Sequence, residues 1–291
     1  MSVDINAARP EVALGALATS RRRYPVLIVV CLVFAAIVVF CAVFGSLVAP
    51  HDANEQNLLG TLKHPSWDHL FGTDTLGRDI FSRVIVGART AVLGPLVIAL
   101  GAMIVGNALG VIAGYRGGVV DFVIMRWCDM MFALPALLVA IVVVGVLGGG
   151  YWLAVALLTL LTIPYDARLI RGTVLEQRPR PYVEAVRVLG LKPRQIMFGQ
   201  IWPNVLPIVV ANTFLNFAFS LVSLSGLSYL GLGAGPGTAD WGRMIADNRN
   251  LLFQNPVAAL APAIVLVVTA TAVNLLGDWL YERLSDRGRA R

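Results

Sequence analysis

The 291-residue chain is 57% hydrophobic and only 14% charged, proportions that exclude an ordinary soluble domain. Its formal charge of +6 comes from basic residues that flank apolar runs, so a nucleic-acid partner is not expected. Cys31, Cys41 and Cys128 lie in apolar stretches without pairing or metal-ligand spacing, which argues against a disulfide framework and a zinc site. Residues 1–23 are polar, lack apolar periodicity and read as a cytosolic tail ending in Arg21-Arg22-Arg23. Pro25 to Val48 is then an uncharged, almost wholly apolar run. At 1.5 Å per residue it reaches about 36 Å, enough to cross a bilayer, whereas the apolar part of a cleaved signal peptide covers about 7–15 residues.

From Pro50 to about Ala88 the chain is polar and carries His51, His64 and His69, whose spacing fits no metal motif. Within it runs Phe71-Gly-Thr-Asp-Thr-Leu-Gly-Arg-Asp-Ile-Phe-Ser-Arg83. Gly72 and Gly77 suit tight turns around Thr73, and Asp74, Arg78, Asp79 and Arg83 can form a salt-bridged cluster that fixes the loop. The string resembles the GTDxxGRDxxSR segment of the C-type subunit of ABC-importer permeases for dipeptides, oligopeptides and nickel. Every fixed position of that pattern is present.

A second span is expected over Thr90–Gly114, where Gly106, Gly110 and Gly114 share one face and let another helix approach closely. A third runs over Val123–Leu147, with Arg126 and Asp129 placed to pair near its start. A fourth, Tyr151–Ile163, is short and ends at Pro164 and Asp166, the acid being a partner for Arg168 or Arg171. The fifth, Val205–Leu232, carries Asn212, Asn216, Ser220 and Ser223 as one polar stripe. Such a stripe faces either a translocation cavity or other helices through hydrogen bonds. Leu227-Ser-Tyr-Leu-Gly-Leu-Gly and Trp241-Gly-Arg-Met follow, similar to the LSxLGLG…WGxM segment of the same family. Pro256–Leu276 makes a sixth span before a basic tail with Arg283, Arg287, Arg289 and Arg291.

Between the fourth and fifth spans, Tyr182 to Pro203 is a charged amphipathic island. Tyr182, Ala185, Val186 and Leu189 recur at helical spacing, Pro181 and Glu184 suit a helix start, and Gly190 suits its end. Pro193 suits the start of a second short helix. Glu184-Ala185, Gly190, Ile201 and Pro203 resemble the EAA loop of ABC-importer permeases, with Val186 where the third alanine is usual. The resemblance implies that this loop is the coupling helix, docking on a separate ATPase.

Charge sets the orientation. Four Lys or Arg lie in the first tail, two at Arg116 and Arg126, seven between Arg168 and Arg194, and four at the end; six lie in the two opposite loops and their edges. The positive-inside rule places both tails and the coupling loop in the cytoplasm. The expected organisation is a cytosolic tail (1–23), a first helix with external loop (24–88), a five-helix permease core (89–280) with its coupling loop at 168–204, and a cytosolic tail (281–291). The fold class is all-α: a polytopic membrane protein with six transmembrane helices and, by resemblance, type I ABC-importer permease architecture.

No G-x-x-x-x-G-K-[ST] loop is present, since Lys63 and Lys192 each follow a leucine; no catalytic constellation or cofactor site stands out either. The resemblance therefore implies a non-catalytic permease subunit in the cytoplasmic membrane. It implies ATP and Mg on two partner ATPase subunits, a second homologous permease completing the pore, and an extracytoplasmic solute-binding protein that meets the loops around Gly72–Arg83 and Gly231–Arg249. It implies oligopeptides or dipeptides as substrate, with nickel or another small solute as the alternative. An ion-coupled secondary transporter would need an ionisable site at the bilayer midplane and usually internal repeats, and neither is legible in the sequence.

Overall fold

The computed structural model describes residues 25–289, with side chains over 26–285; the expected N-terminal tail and the side chains of Arg287, Arg289 and Arg291 lie outside the described residues. Among the described residues ten α-helices follow one another: α1 Pro25–Val48, α2 Ile80–Arg116, α3 Gly118–Phe132, α4 Ala136–Val146, α5 Tyr151–Gln177, α6 Pro181–Val188, α7 Pro193–Ile196, α8 Trp202–Tyr229, α9 Trp241–Asn248 and α10 Pro256–Arg289. Among the described residues there is no strand, only a lone antiparallel bridge between Thr73 and Asp79. Five helices are long and apolar enough to cross a membrane, and the pair α3–α4, bent by 77°, makes a sixth span if taken as one.

Four spans depart by more than a helical turn from the sequence expectation, the sixth by running on from Leu276 to Arg289. The second begins at Ile80 rather than Thr90, because Asp79 caps it by accepting from the Ser82 amide. Its 37 residues reach about 55 Å, well beyond a hydrocarbon core of about 30 Å, so its first turns carry the Gly72–Arg83 motif out of the membrane. The third span is broken between Phe132 and Ala136, at Pro135, which denies the helix an amide and is itself extended (φ −63°, ψ 111°). The fourth continues through Pro164 to Gln177, because packing along its whole length against α2 outweighs one lost backbone bond.

The glycine face of α2 makes that packing close. A methyl group on Gly106 would lie 2.5 Å from the Asp166 Cβ, on Gly110 2.6 Å from the Ala167 carbonyl oxygen, and on Gly114 2.9 Å from the Val174 Cβ. Helices α2 and α5 therefore touch backbone to backbone.

Three apolar clusters follow the long axis. Near the end bearing the long first loop, Ile80, Val84, Trp241, Met244 and Leu251 pack together. In the middle, Ile98, Val144, Leu158 and Leu224 join α2, α4, α5 and α8. At the opposite end, Val111, Ile170, Val174, Val205 and Val209 surround residues of the α6–α7 connection.

Candidate functional site

The end bearing the long first loop is a cap in which every fixed residue of the Gly72–Arg83 motif is occupied inside the chain. Gly72 and Gly77 have φ of 74° and 72°. A methyl group on Gly77 would sit 1.9 Å from the Asn57 carbonyl oxygen, so only glycine fits. The Thr73 hydroxyl donates to the Gly60 carbonyl at 2.6 Å and accepts from the Lys63 amide at 2.8 Å. Asp74 accepts from the Leu76 and Arg78 amides, both at 2.9 Å, and from the Arg78 Nε at 2.7 Å. Asp79 accepts from the Ser82 amide at 2.8 Å and pairs with the His69 Nδ1 at 3.0 Å.

The single four-residue ion cluster expected from sequence is thus resolved into parts. Asp74 and Arg78 pair, Asp79 turns to a histidine and a helix end, and Arg83 binds no carboxylate directly. Arg83 is 1% exposed and donates to the carbonyls of Ala53 (2.9 Å), Gly237 (3.3 Å) and Thr238 (3.0 Å). It therefore ties the first loop to the segment before α9. Trp241 reinforces the join by donating its indole N–H to the Val84 carbonyl at 2.9 Å, so it is a buried clamp rather than an exposed interface anchor. Asp240 caps α9 by accepting from the Arg243 amide at 3.0 Å, and burial pushes its carboxyl above the usual carboxylate range against the pull of its hydrogen bonds. The loops around Gly72–Arg83 and Gly231–Arg249 form one surface.

The opposite end presents α6 and α7. Pro181 stands at the first turn of α6, Glu184 follows in that turn, and Gly190 (φ 77°) ends the helix as its spacing suggests. The four residues expected to form one docking stripe divide between two faces. Tyr182 and Val186 pack inward beside the fully buried Val183, while Glu184, Ala185, Val188 and Leu189 face outward. Val188 is 87% exposed and Leu189 76%. The eight-residue helix needs one apolar face for its own core, and Val183, outside the expected stripe, is the centre of that face. Burial raises the Tyr182 phenol above its ordinary pKa, and its hydroxyl donates to the Gln177 side chain at 3.1 Å.

Helix α7 starts at Pro193 and passes through a π-helical turn, Met197–Ile201, into α8. Ile201 is a core residue; Pro203, in the first turn of α8, is exposed. Val183, Ile196, Met197 and Ile201 pack with Ile170 and Val174 of α5 and Val205 and Val209 of α8. A push on α6 therefore reaches two long helices through close-packed side chains.

Between the ends lies a polar centre that the sequence only half revealed. The extension of α5 places Asp166 inside a span, buried to 1% exposure. Asn212 and Asn216 of α8 each donate to its Oδ1, at 2.6 and 2.7 Å. Asp166 does not pair with Arg168 or Arg171, because residues two and five positions away leave a helix on other faces. Arg168 reaches Asp129 on α3, and Arg171 binds Asp121 with both Nε and Nη2, at 2.5 and 2.6 Å. Asp129 is thereby taken by α5 rather than by neighbouring Arg126. Ser220 is buried on the same stripe as the two asparagines and Ser223 is half-buried. Asn212 also borders a pocket of about 540 Å³ with Tyr165, Asn274, Asp278 and Tyr281.

The model of the family "Binding-protein-dependent transport system inner membrane component" matches residues 106–289. The chain is 35% identical to a glutathione transport system permease protein of Pectobacterium atrosepticum, over 87% of this chain and 85% of that one. It is 33% identical to a dipeptide transport system permease protein of Alkalihalophilus pseudofirmus, over 86% and 82%. It is 35% identical to a di/tripeptide transport system permease protein of Pseudomonas aeruginosa, over 88% and 86%. Among solved structures, the inward-facing methionine ABC transporter MetNI contains a chain that matches with a TM-score of 0.59 at 18% identity, covering 70% of this chain and 97% of that one.

Proposed function

The chain belongs to the binding-protein-dependent transport system inner membrane components, and on that premise we propose that it forms half of a peptide import channel worked by ATPases docked on α6. It is a multi-pass permease subunit of the inner membrane, non-catalytic itself, with the all-α architecture of type I ABC importers. Its substrate is a short peptide, the class named for its dipeptide, di/tripeptide and glutathione relatives. Nickel and other solutes fall behind that reading, as does ion-coupled transport.

The observation that carries the coupling role is the outward face of α6. Two large aliphatic side chains, Val188 and Leu189, stand almost fully exposed beside Glu184 on a helix whose other face is locked into α5 and α8. Large aliphatic side chains bared side by side on an otherwise docked helix suit a contact with another protein. Two cytosolic ATPase subunits carrying ATP and Mg would close on each other and move α6, and the Val183 contact would pass that motion to the spans. The charge asymmetry puts this end, and both tails, in the cytoplasm. A second, homologous permease completes the pore, and an extracytoplasmic solute-binding protein delivers peptide to the Arg83-tied cap. Of the polar stripe, Asn212 borders a pocket, and the role proposed for Asn216, Ser220 and Ser223 is to support the wall behind it.

The test is uptake of a labelled dipeptide by membrane vesicles with and without internal ATP, combined with identification of the proteins that co-purify in mild detergent. The expected result is ATP-dependent uptake and recovery of a related permease and ATPase subunits. Uptake that follows an ion gradient, or a chain that leaves the membrane without any ATPase after nucleotide trapping, contradicts the proposal.

A further inference from the structure

We propose that His51, His69 and Asp79 bind one divalent transition-metal cation, of the zinc class, on the external cap. The three residues are distant in sequence: one follows α1, one lies in the loop and one caps α2. Folding brings one ligand atom from each within 4.8 Å of the others. The His69 Nδ1 lies 3.0 Å and the His51 Nδ1 3.9 Å from Asp79 carboxylate oxygens, with the two imidazole centroids 4.9 Å apart. Donors bound to a tetrahedral zinc at about 2.0–2.1 Å stand roughly 3.3 Å from one another, so a small closure of His51 completes the set. Two imidazoles and a carboxylate select a borderline cation over calcium or magnesium, with water free to take a fourth position.

The frame around these groups is built. The His51 amide donates to the Ser82 hydroxyl at 3.1 Å, and the Ser82 amide donates to Asp79 Oδ2 at 2.8 Å. Both ligands therefore hang from the same first turn of α2, and the Asp79 carboxylate keeps lone pairs for a metal. The three residues line a polar pocket of about 210 Å³ with Asp52, Glu55 and Asp68, whose carboxylates make it attractive to a cation. A plain His69–Asp79 hydrogen bond accounts for one contact of this arrangement and leaves His51, stacked beside His69, without a purpose. A bound cation would close the chain between residues 51 and 79 and hold the cap in its folded shape.

The experiment uses the full chain, purified in detergent with a tag free of histidine and cysteine, stripped with chelator and dialysed against Zn²⁺. Cobalt(II) serves as the spectroscopic reporter of ligand geometry. The wild type is expected to retain one cation per chain, to unfold at a higher temperature with it, and to give the intense visible bands of low-coordinate cobalt. His51→Gln should weaken binding at least 10- to 100-fold, no less than loss of a second-shell partner does in known sites. The His51 side chain is 41% exposed and its backbone bond to Ser82 survives the change, so this variant should fold like the wild type without metal. His64→Gln, outside the cluster, should leave binding unchanged. Equal cation retention by wild type and His51→Gln, or no retention by either, overturns the proposal and leaves a hydrogen-bonded cluster.

Discussion

The external cap and the α6–α7 connection both carry family motifs, yet their residues are used in opposite ways. In the cap, Gly72, Thr73, Asp74, Gly77, Arg78, Asp79 and Arg83 all find partners or steric reasons within the chain. In the connection, Glu184, Ala185 and Leu189 point away from it. A motif satisfied internally holds a shape; a motif left facing outward is, on the reading proposed above, the part that meets another protein. Substitutions in the first should cost stability, and substitutions in the second should cost coupling alone.

The largest loss of stability is expected from Arg83→Leu. Three carbonyls would lose their donor: that of buried Ala53 is left dry, at about 1–3 kcal/mol, while those of exposed Gly237 and Thr238 can turn to water. Thermal unfolding in detergent should show a fall of about 2–3 kcal/mol, and an unchanged midpoint would break the claim that Arg83 ties the cap. Gly77→Ala comes next. It forces a side chain into a left-handed backbone and against the Asn57 carbonyl, costing about 1–3 kcal/mol by the same measurement.

A smaller effect follows from Asp240. Its raised pKa means that the folded cap binds this proton more tightly than the unfolded chain does. The stabilisation from that proton is full below the ordinary carboxylate pKa and is lost as pH rises through the raised one. Protection of the α9 amides from hydrogen exchange, corrected for intrinsic rates, should decline over that rise. Asp240→Asn keeps a capping side chain and should flatten the profile. The smallest effect on stability, below about 0.5 kcal/mol, is expected for Glu184→Lys and Leu189→Asp, both at exposed positions. These variants should insert and fold normally but lose ATP-driven uptake; normal transport would count against the coupling role.

What could be read in sequence follows the range of the interactions. Apolar runs, Pro181, Gly190, Pro193 and the glycine ladder of α2 are local or periodic signals; the first span, both short helices and the α2–α5 contact stand where they point. Two departures are local, the Asp79 cap that starts α2 early and the break at Pro135; the others are contacts between distant segments. Asp166 is legible as an acid at the end of the fourth span, but its partners, Asn212 and Asn216, sit on another helix, and Pro164 reads as a stop because the packing of α5 against α2 is not local. The division of Tyr182 and Val186 from Ala185 and Leu189 depends on where α5 and α8 lie beneath α6. His51, His69 and Asp79 have no motif spacing at all; only the fold of the loop brings them together.

The central claim is that the outward face of α6 is an ATPase-docking face. It is tested most directly by placing a photo-cross-linking amino acid at Leu189 in the working importer. Trp67, 97% exposed on the external loop, is the comparison position. Irradiation in native membranes should join Leu189 to a nucleotide-binding subunit and Trp67 to none. A transporting importer in which Leu189 captures only lipid would contradict the account.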